Sequence, residues 1–588
     1  MTIAQNECGI AVRLGRAVLC SILLSVSAAA VAEQPDARDA REVSELAETE
    51  AGIPVTDKLT LQKCGSCHVP DAKGNLSRIS WLRTTPEGWS QAIKRMVRLN
   101  GLQISPQDAR SIVRYLGTWH GLAPEEARPV MYMPEHRLID ETSVPDETVR
   151  QACVACHAFG QPLSWRRSQT EWALLQNMHV SLYASAEMQY RRNVPAAPGT
   201  KSTSPLTQGQ AALEYLSKAA PLHTPEWAAW APRIHAPMLA GKWLVSASMP
   251  GKGRYVGEMT IELGAAADAF TTVTTLRSLT DGSTLTRKGS GLVYGGYSWR
   301  GRSDGGAAKD SAPDVPGAVA REALWFSPDQ QTAEGRWFWG AYQEFGFDVK
   351  LIRAGAGATV AGIAPLALKS GSTGVNLHIY GAGLPVQATT QDVDLGAGVT
   401  VKRVVSAKPD ELVVMVDVAA GAMPGVRDVV VRGSVLEKAL PVYDRIDYLK
   451  VAPDSNAIAH LGGIRFPKGY QQFEAVAYAK GADGKPHTED DIAIGAVDVD
   501  WSVAEFPTVI NDDDTRFVGS LSSAGLFTPN VEGPAAERRF GRNNYGEIWV
   551  VATARNEKDA SGQPLSARSY LVVTVPLYKQ FDQPEVAP

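Results

Sequence analysis

The chain has 588 residues, which is too long for a single hydrophobic core and predicts three to five domains. Hydrophobic residues make up 44% of it and charged residues 21%, with a formal net charge of −5. This ordinary balance gives no indication of nucleic-acid binding or of wholesale disorder.

The first 32 residues have the pattern of a secretory signal peptide. Arg13 and Arg16 precede the apolar run AVLCSILLSVSAAA, and residues 30–32 (Ala-Val-Ala) offer a small-x-small cleavage site before Glu33. An uncleaved anchor is the alternative, although the apolar run is short for a membrane span. We therefore expect export to the periplasm.

The cysteines of the exported part occur only in pairs. Cys8 and Cys20 fall inside the signal segment. The other four form two CxxC pairs, which are Cys64 with Cys67 and Cys153 with Cys156. An exported protein with no cysteine left for structural disulfides uses its thiols for another purpose.

A histidine follows each pair, so that residues 64–68 read CGSCH and residues 153–157 read CVACH. In c-type attachment the two thiols bond to the haem vinyl groups, and the adjacent histidine binds the iron. Zinc or thioredoxin-like chemistry is the alternative, but a four-thiol zinc site would leave both histidines unexplained. The motifs predict two covalently bound haem c groups, with His68 and His157 as iron ligands.

An internal repeat follows the two motifs. Residues 83–89 (RTTPEGW) match residues 166–172 (RRSQTEW) in the spacing from arginine to tryptophan. Further on, helices predicted to begin at the caps Ser105 and Thr207 share a spacing of apolar and tyrosine residues. We predict a dihaem domain over 33–238, built from two cytochrome c-like units at about 50–128 and 140–235.

The repeat also predicts the sixth iron ligands. Alignment on Trp89 and Trp172 places Met96 and His179 at the same position. Neighbouring helical side chains point about 100° apart, so only one of Met178 and His179 can take the direction of Met96. We predict Met96 for the first haem and His179 for the second. Methionine raises a haem potential and imidazole lowers it, which suits a directed relay.

Both assignments have rivals. Either side chain could simply pack in the core, a common fate for methionine. Rivals for the first haem are Met131, Met133 and His120, and those for the second are Met178, Met188 and His223.

From about residue 239 the pattern changes to short alternating runs separated by glycine and aspartate. Seven or eight such strands predict a lipocalin-like antiparallel β-barrel over 239–354. The runs are 241–249, 254–263, 270–279, 292–301, 321–329, 334–342 and 347–353. Five aromatic residues either fill the barrel core, the favoured interpretation, or line a ligand cavity: Trp243, Tyr297, Trp299, Trp337 and Trp339.

Two further β domains follow, with turn signals every eight to twelve residues, as is typical of immunoglobulin-like sandwiches. They are expected over 355–444 and 445–588, with Trp501 in the core of the second. The β region contains no Ser/His/Asp arrangement, HExxH motif, phosphate loop or dinucleotide fingerprint. We therefore expect these domains to be scaffold or docking modules. The fold class is multidomain, first α and then β.

This order of domains resembles the large (alpha) subunit of quinohemoprotein amine dehydrogenase over essentially the whole mature chain. The stretches GGIRFPKGYQQFEAVAY (462–478) and DDIAIGAVDVDWSVAEF (490–506) add to the resemblance. Paired CxxCH motifs alone are generic to multihaem cytochromes.

The resemblance implies a heterotrimer with a beta-propeller subunit and a small gamma subunit that carries cysteine tryptophylquinone. Primary amines would be oxidised at that quinone, and electrons would pass through the two haems of this chain to a periplasmic blue-copper protein or cytochrome. The chain would then have no catalytic residues of its own, because the cofactor performs the chemistry. A free-standing dihaem electron carrier and a dihaem peroxidase are the alternatives.

Overall fold

The computed structural model describes residues 47–131, 147–153, 157, 159–194, 206–454, 457–507 and 512–576. The predicted signal peptide, Cys156 and Met133 lie outside these residues. Within the described part, no helix is both long enough and apolar enough to cross a bilayer.

The N-terminal part is helical. Its helices are α1 Lys58–Cys64, α2 Pro86–Asn100, α3 Pro106–Trp119, α4 Pro124–Ala127, α5 Glu147–Cys153, α6 Gly160–Leu163, α7 Gln169–Leu182, α8 Ala184–Tyr190, α9 Gln208–Ala219 and α10 Pro225–Trp230. Single 3₁₀ turns occupy Ile79–Trp81, Arg128–Val130 and Ala231–Arg233. The two caps expected from the repeat are present: the Ser105 hydroxyl accepts from the Asp108 amide at 3.0 Å, and the Thr207 hydroxyl from the Gln210 amide at 3.3 Å.

A short antiparallel ribbon joins the two repeats. It consists of β1 Leu82–Thr84 and β2 Trp165–Arg167, with Arg83 directly opposite Arg166. These two arginines are the equivalent residues of the repeat. Antiparallel pairing centred on equivalent residues requires a local two-fold relation. A pseudo-two-fold axis that relates the two units therefore passes through the ribbon.

Eight antiparallel strands form a closed barrel, in which β10 pairs with β3. They are β3 Gly241–Met249, β4 Gly253–Leu263, β5 Ala269–Ser278, β6 Thr284–Tyr294, β7 Ser298–Asp304, β8 Ala320–Phe326, β9 Thr332–Trp339 and β10 Phe345–Arg353. The prediction of one strand over 292–301 is wrong, because Gly295 and Gly296 have φ of 58° and 85° and turn the chain between β6 and β7.

Aromatic side chains fill the barrel. Trp243, Trp299, Trp337 and Trp339 belong to one buried core cluster, as the favoured interpretation predicts. Tyr297 differs, because it lies in a separate cluster with residues of the helical part, and its hydroxyl donates to the Leu122 carbonyl at 2.9 Å. It therefore fastens the helical part to the barrel.

Two four-stranded sheets follow and share one core. Their strands are β11 Thr359–Ala364, β12 Leu368–Lys369, β13 Val375–Ala382, β14 Val393–Asp394, β15 Val399–Ala407, β16 Glu411–Val418, β17 Gly425–Val431 and β18 Ser434–Tyr443. A 3₁₀ turn at Thr390–Asp392 precedes β14. Buried valine, leucine and isoleucine side chains from both sheets form the core.

The C-terminal part contains three small sheets around another core. Its elements are β19 Tyr448–Ala452, β20 Ala457–His460, β21 Gln471–Gln472, β22 Glu474–Ala479, β23 Ile492–Ala496, β24 Val499–Glu505, α11 Asp514–Phe517, β25 Gly519–Leu521, β26 Leu526–Pro529, a 3₁₀ turn at Arg539–Gly541, β27 Gly546–Lys558 and β28 Pro564–Thr574. Trp501 on β24 is half-buried and packs against this core.

Candidate functional site

The first CxxCH motif begins at the last residue of α1. The backbone amides of Cys67 and His68 both donate to the Cys64 carbonyl, at 3.2 and 2.9 Å, so the motif closes as a tight turn. Nδ1 of His68 lies 2.8 Å from the Ser77 carbonyl oxygen. A carbonyl can only accept, so this nitrogen carries the proton and Nε2 keeps its lone pair. That tautomer is the one that binds a metal through Nε2.

Cys64 and Cys67 are suited to covalent attachment of a haem. Neither is in a disulfide, Cys67 is exposed, and Cys64 is half-buried against the core cluster around Trp89. Burial, helped by the nearby Cys67 and Asp57, raises the pKa of the Cys64 thiol to about 11. The residues therefore fit a haem c bound through two thioethers and His68.

The second motif begins in the same way, with Cys153 at the end of α5. Cys153 packs against the cluster that contains Phe159 and Trp172, just as Cys64 packs near Trp89. Cys156 lies outside the described residues, and His157 is half-buried. The second site thus shares its framework with the first.

The same tryptophan contact anchors both units. The indole nitrogen of Trp89 donates to the His120 carbonyl at 2.9 Å, and that of Trp172 donates to the Ala220 carbonyl at 3.0 Å. Both carbonyls also accept from β1 or β2, through the amides of Thr84 and Arg167. His120 and Ala220 are therefore structurally equivalent, which the sequence comparison did not recognise.

His179 has the geometry of a second iron ligand. Its Nδ1 donates to the Leu175 carbonyl one turn earlier on α7 at 2.8 Å, which leaves Nε2 with its lone pair. Burial lowers the pKa of His179, and the charge of the nearby His157 adds to that shift. The imidazole is thus biased towards the neutral form that binds a metal, and it lies within electrostatic range of the proximal histidine.

Met96 occupies the equivalent position on α2 and is also half-buried. Its sulfur lies 3.7 Å from the Asn100 side-chain nitrogen. One turn beyond each predicted ligand is an exposed leucine, Leu99 at 63% and Leu182 at 49%. Residues three apart share a helix face, so both helices present apolar surface beside the predicted ligand, as a porphyrin pocket requires. Both assignments remain predictions.

The rival ligands lie in varied surroundings. The Met178 sulfur accepts from Arg95 at 3.7 Å, and Met188 is 67% exposed on α8. Met131 is buried beside barrel residues that include Tyr297. His223 is exposed, and its ring contacts the Ala51 carbonyl at 2.7 Å.

His120 is the most unusual of the rivals. It is completely buried, and among the described residues neither ring nitrogen has a hydrogen bond of normal geometry, although the backbone of Pro54 lies close enough to act on its charge. Burial lowers its pKa to about 4, so the ring is neutral near pH 7. It stays open as an alternative ligand to the first haem.

A buried ion-pair network closes the seam between the units. Glu126, at the end of α4, accepts from Arg83 at 2.7 and 3.0 Å and from Arg166 at 3.1 Å. Burial opposes ionisation of this carboxyl, but the Arg83 hydrogen bond and the two arginine charges hold its pKa below the usual value. Sequence reasoning used the two arginines as markers of the repeat, but nothing in the local pattern singled out Glu126.

The barrel is attached to the first unit by a second buried ion pair. Arg300 of β7 binds Glu87 of α2 at 2.6 Å, and both side chains are almost fully buried. This pair holds α2 against the barrel wall, and Tyr297 fastens the segment between α3 and α4 to the barrel. The helix that carries Met96 therefore has a rigid support.

Four family models match consecutive parts of the chain. Their descriptions are quinohemoprotein amine dehydrogenase A, alpha subunit, haem binding, over residues 55–193; and quinohemoprotein amine dehydrogenase, alpha subunit, domain II over 236–354, domain III over 357–444 and domain IV over 449–586. No curated protein matches the chain.

Several solved structures resemble a part of the chain. A de novo designed fluorescence-activating β-barrel is 16% identical, covers 20% of this chain and 93% of its own, and has a TM-score of 0.16. The first two extracellular repeats of human protocadherin-24 are 12% identical, cover 39% of this chain and 100% of their own, and have a TM-score of 0.15. Scores this low support no conclusion about the whole chain.

Proposed function

The chain belongs to the family of quinohemoprotein amine dehydrogenase alpha subunits, and from this premise we propose that it is a dihaem electron relay. Electrons would come from a cysteine tryptophylquinone in a small gamma subunit, which oxidises primary amines beside a beta-propeller subunit. They would leave to a periplasmic blue-copper protein or cytochrome. This chain would provide the path for the electrons, and the partner subunit would oxidise the amine.

The observation that carries the proposal is the pair of matching frameworks around the two CxxCH motifs, which are related by one pseudo-two-fold axis. Each framework has a cysteine at a helix end, a core tryptophan bonded to an equivalent carbonyl, and a helix with a predicted ligand at the same position. A single haem would need only one of them. Two sites that share a seam suit transfer between two centres.

The haems supply the one-electron chemistry, and the protein sets their environment. His68 and His179 are each held by a backbone carbonyl in the tautomer that leaves Nε2 for the iron. Cys64, Cys67, Cys153 and Cys156 would hold the two haems covalently. With Met96 on one iron and His179 on the other, the two potentials would differ.

The remaining domains fit docking roles in this proposal. The two C-terminal β domains would be immunoglobulin-like modules that bind the other subunits, and the signal peptide would deliver the chain to the periplasm. The family is that of a subunit, which supports the existence of partners.

Purification of the intact complex from periplasmic extract tests the proposal. We expect two haem c groups per chain, a small quinone-staining polypeptide in the same fraction, and haem reduction when a primary amine is added without oxygen. A Cys64→Ser/Cys67→Ser variant is the matched control and should keep one haem.

A chain that purifies alone, and whose haems no amine reduces, would overturn the amine dehydrogenase proposal in favour of a free-standing carrier. A haem that is high-spin or five-coordinate in either redox state would support the peroxidase alternative instead.

A further inference from the structure

Three arginine side chains lie near one another at the seam between the units, beside the second predicted haem site. Arg78 precedes the first 3₁₀ turn, Arg95 lies on α2, and Arg167 lies on β2. The charge of Arg78 acts on both Arg95 and Arg167, and that of Arg95 acts on Arg167, so the three guanidinium groups lie within electrostatic range of one another.

Among the described residues, the carboxylates around this cluster, which are Glu171, Glu50 and Glu48, do not fully balance the three positive charges. Glu171 binds Arg78 at 2.6 Å and lies 3.8 Å from Arg167. Burial, with the neighbouring Glu171 and Glu50, raises the pKa of Glu48 to about 7, so Glu48 carries only part of a negative charge at neutral pH. Among the described residues, no carboxylate forms an ion pair with Arg95.

The Arg167 guanidinium is only partly hydrogen-bonded by the residues that the structure describes. Its side chain is 5% exposed and lies over the rings of Trp165 and Trp172, at 4.2 and 5.4 Å from their centres. The Nε atom has no hydrogen-bond partner among the described residues. An unpaired guanidinium nitrogen in such a setting is costly unless an anion satisfies it.

Arg78 also has a strained backbone conformation. This residue has φ of 68° and ψ of −47°, a conformation that side chains other than glycine rarely adopt. Strained residues cluster at functional sites, so this conformation is consistent with a functional placement of Arg78.

The cluster lies next to the predicted second haem ligand. Arg95 donates to the sulfur of Met178, the neighbour of His179, and the charges of Arg95 and Arg167 both act on His179. Arg95 belongs to the first unit, so it reaches across the seam. Its equivalent in the repeat is Met178, and the cluster is therefore specific to the second site.

We propose that Arg95, with Arg167 and Arg78, forms an anion site that binds a propionate carboxylate of the second haem across the unit boundary. Guanidinium groups bind carboxylates through paired, charge-assisted hydrogen bonds. Arg95 is then a positioning residue: it fixes one edge of the haem and favours its less positive, reduced form. The inference rests on the proposed attachment of a haem at the second motif.

Arg95→Met tests the site, because it places in the first unit the residue that occupies the equivalent position in the second. The probe is the intact complex with both haems. The readouts are the midpoint potential of the second haem and its propionate vibrations in resonance Raman spectra. Loss of one charge near the iron should lower the equilibrium constant for reduction about tenfold, which is about 59 mV for a one-electron couple. The propionate bands should shift as well.

Two further variants separate the possible causes. Arg98→Met removes an exposed charge from the same helix and should change the equilibrium constant for reduction less than about twofold, because solvent screens the charge. Arg95→Lys keeps the charge but loses the paired geometry, so it should preserve most of the potential and still shift the propionate bands. It also provides the readout if Arg95→Met does not fold.

An unchanged potential in Arg95→Met would overturn the proposal. A lowered potential without any change in the propionate bands would also overturn it, because Arg95 would then act only as a distant charge. Neither readout uses amine turnover, so failure of the amine dehydrogenase function would be seen separately as haems that no amine reduces.

Discussion

The two haem units are built from the same parts but differ beside the predicted irons. They share the core tryptophan, the capped helices and the ribbon arginine. They differ at three pairs of equivalent positions, which are Met96 and His179, Arg95 and Met178, and His120 and Ala220. The shared residues maintain the fold, and the differing residues include both predicted sixth ligands. In the proposed function, duplication of one unit would thus yield two redox centres with different properties.

The largest expected difference between the units concerns the spin state of the second haem. His179→Ala should convert that haem from low to high spin, because the iron loses its sixth ligand, while Met178→Leu should leave the spectrum unchanged. Absorption and electron paramagnetic resonance spectra of the intact complex measure both. The reverse result would mean that the alignment of α2 with α7 is one residue out of register.

The seam between the units should be the most sensitive point for stability. Glu126→Gln leaves Arg83 and Arg166 buried with only a neutral partner, which should cost about 3–5 kcal/mol. The denaturant midpoint of the helical part, followed by haem absorbance, reports this loss. Glu147→Gln is the control: Glu147 is exposed and its carboxylate pairs with Arg150 on α5. Equal midpoints for the two variants would contradict a structural role of the seam.

His120 should make the first unit sensitive to acid. Its pKa is about 4 in the folded chain and 6.5 as a free side chain. Between these values the unfolded chain binds a proton that the folded chain does not, so stability falls as pH falls, by up to about 1.4 kcal/mol per pH unit. His120→Phe should flatten this dependence between pH 6.5 and 4, and His223→Ala, at an exposed histidine, should not. An unchanged slope in His120→Phe would refute this origin.

The helix caps should show the smallest difference. Thr85 caps α2 and Ser168 caps α7, and removal of either hydroxyl should cost about 1 kcal/mol. Ser168→Ala should cost more, because the Ser168 hydroxyl also donates to Glu48 at 2.9 Å. Thermal unfolding of Thr85→Ala and Ser168→Ala gives the order, and a larger loss for Thr85→Ala would contradict it.

Local patterns predicted much of the fold. The alternation of the barrel strands is set by one buried and one exposed face, and it placed β3 at Gly241–Met249, the run read from the sequence. The cap signals at Ser105 and Thr207 depend on side-chain and backbone groups close in sequence, and they were confirmed. The turn at Gly295 and Gly296 was missed because its aromatic neighbours continued the strand pattern.

Features that depend on distant contacts could not be predicted from the sequence. Glu126 binds Arg83 and Arg166 only after the two units have folded together. Tyr297, the residue before β7, points towards the helical part only because the helical part packs beside the start of β7. The motifs indicated the histidines next to the cysteines directly. The sixth ligands required a comparison of repeats, because a lone methionine or histidine on a helix carries no signal of its own.

A potentiometric titration of the intact complex, followed by absorbance, tests the central claim most directly. Two unequal haems in one chain predict two one-electron steps, with the higher potential at the haem that has the methionine–iron absorption band and the lower at the haem that loses its low-spin spectrum in His179→Ala. One step with a single spectrum, or one haem per chain, would contradict the account.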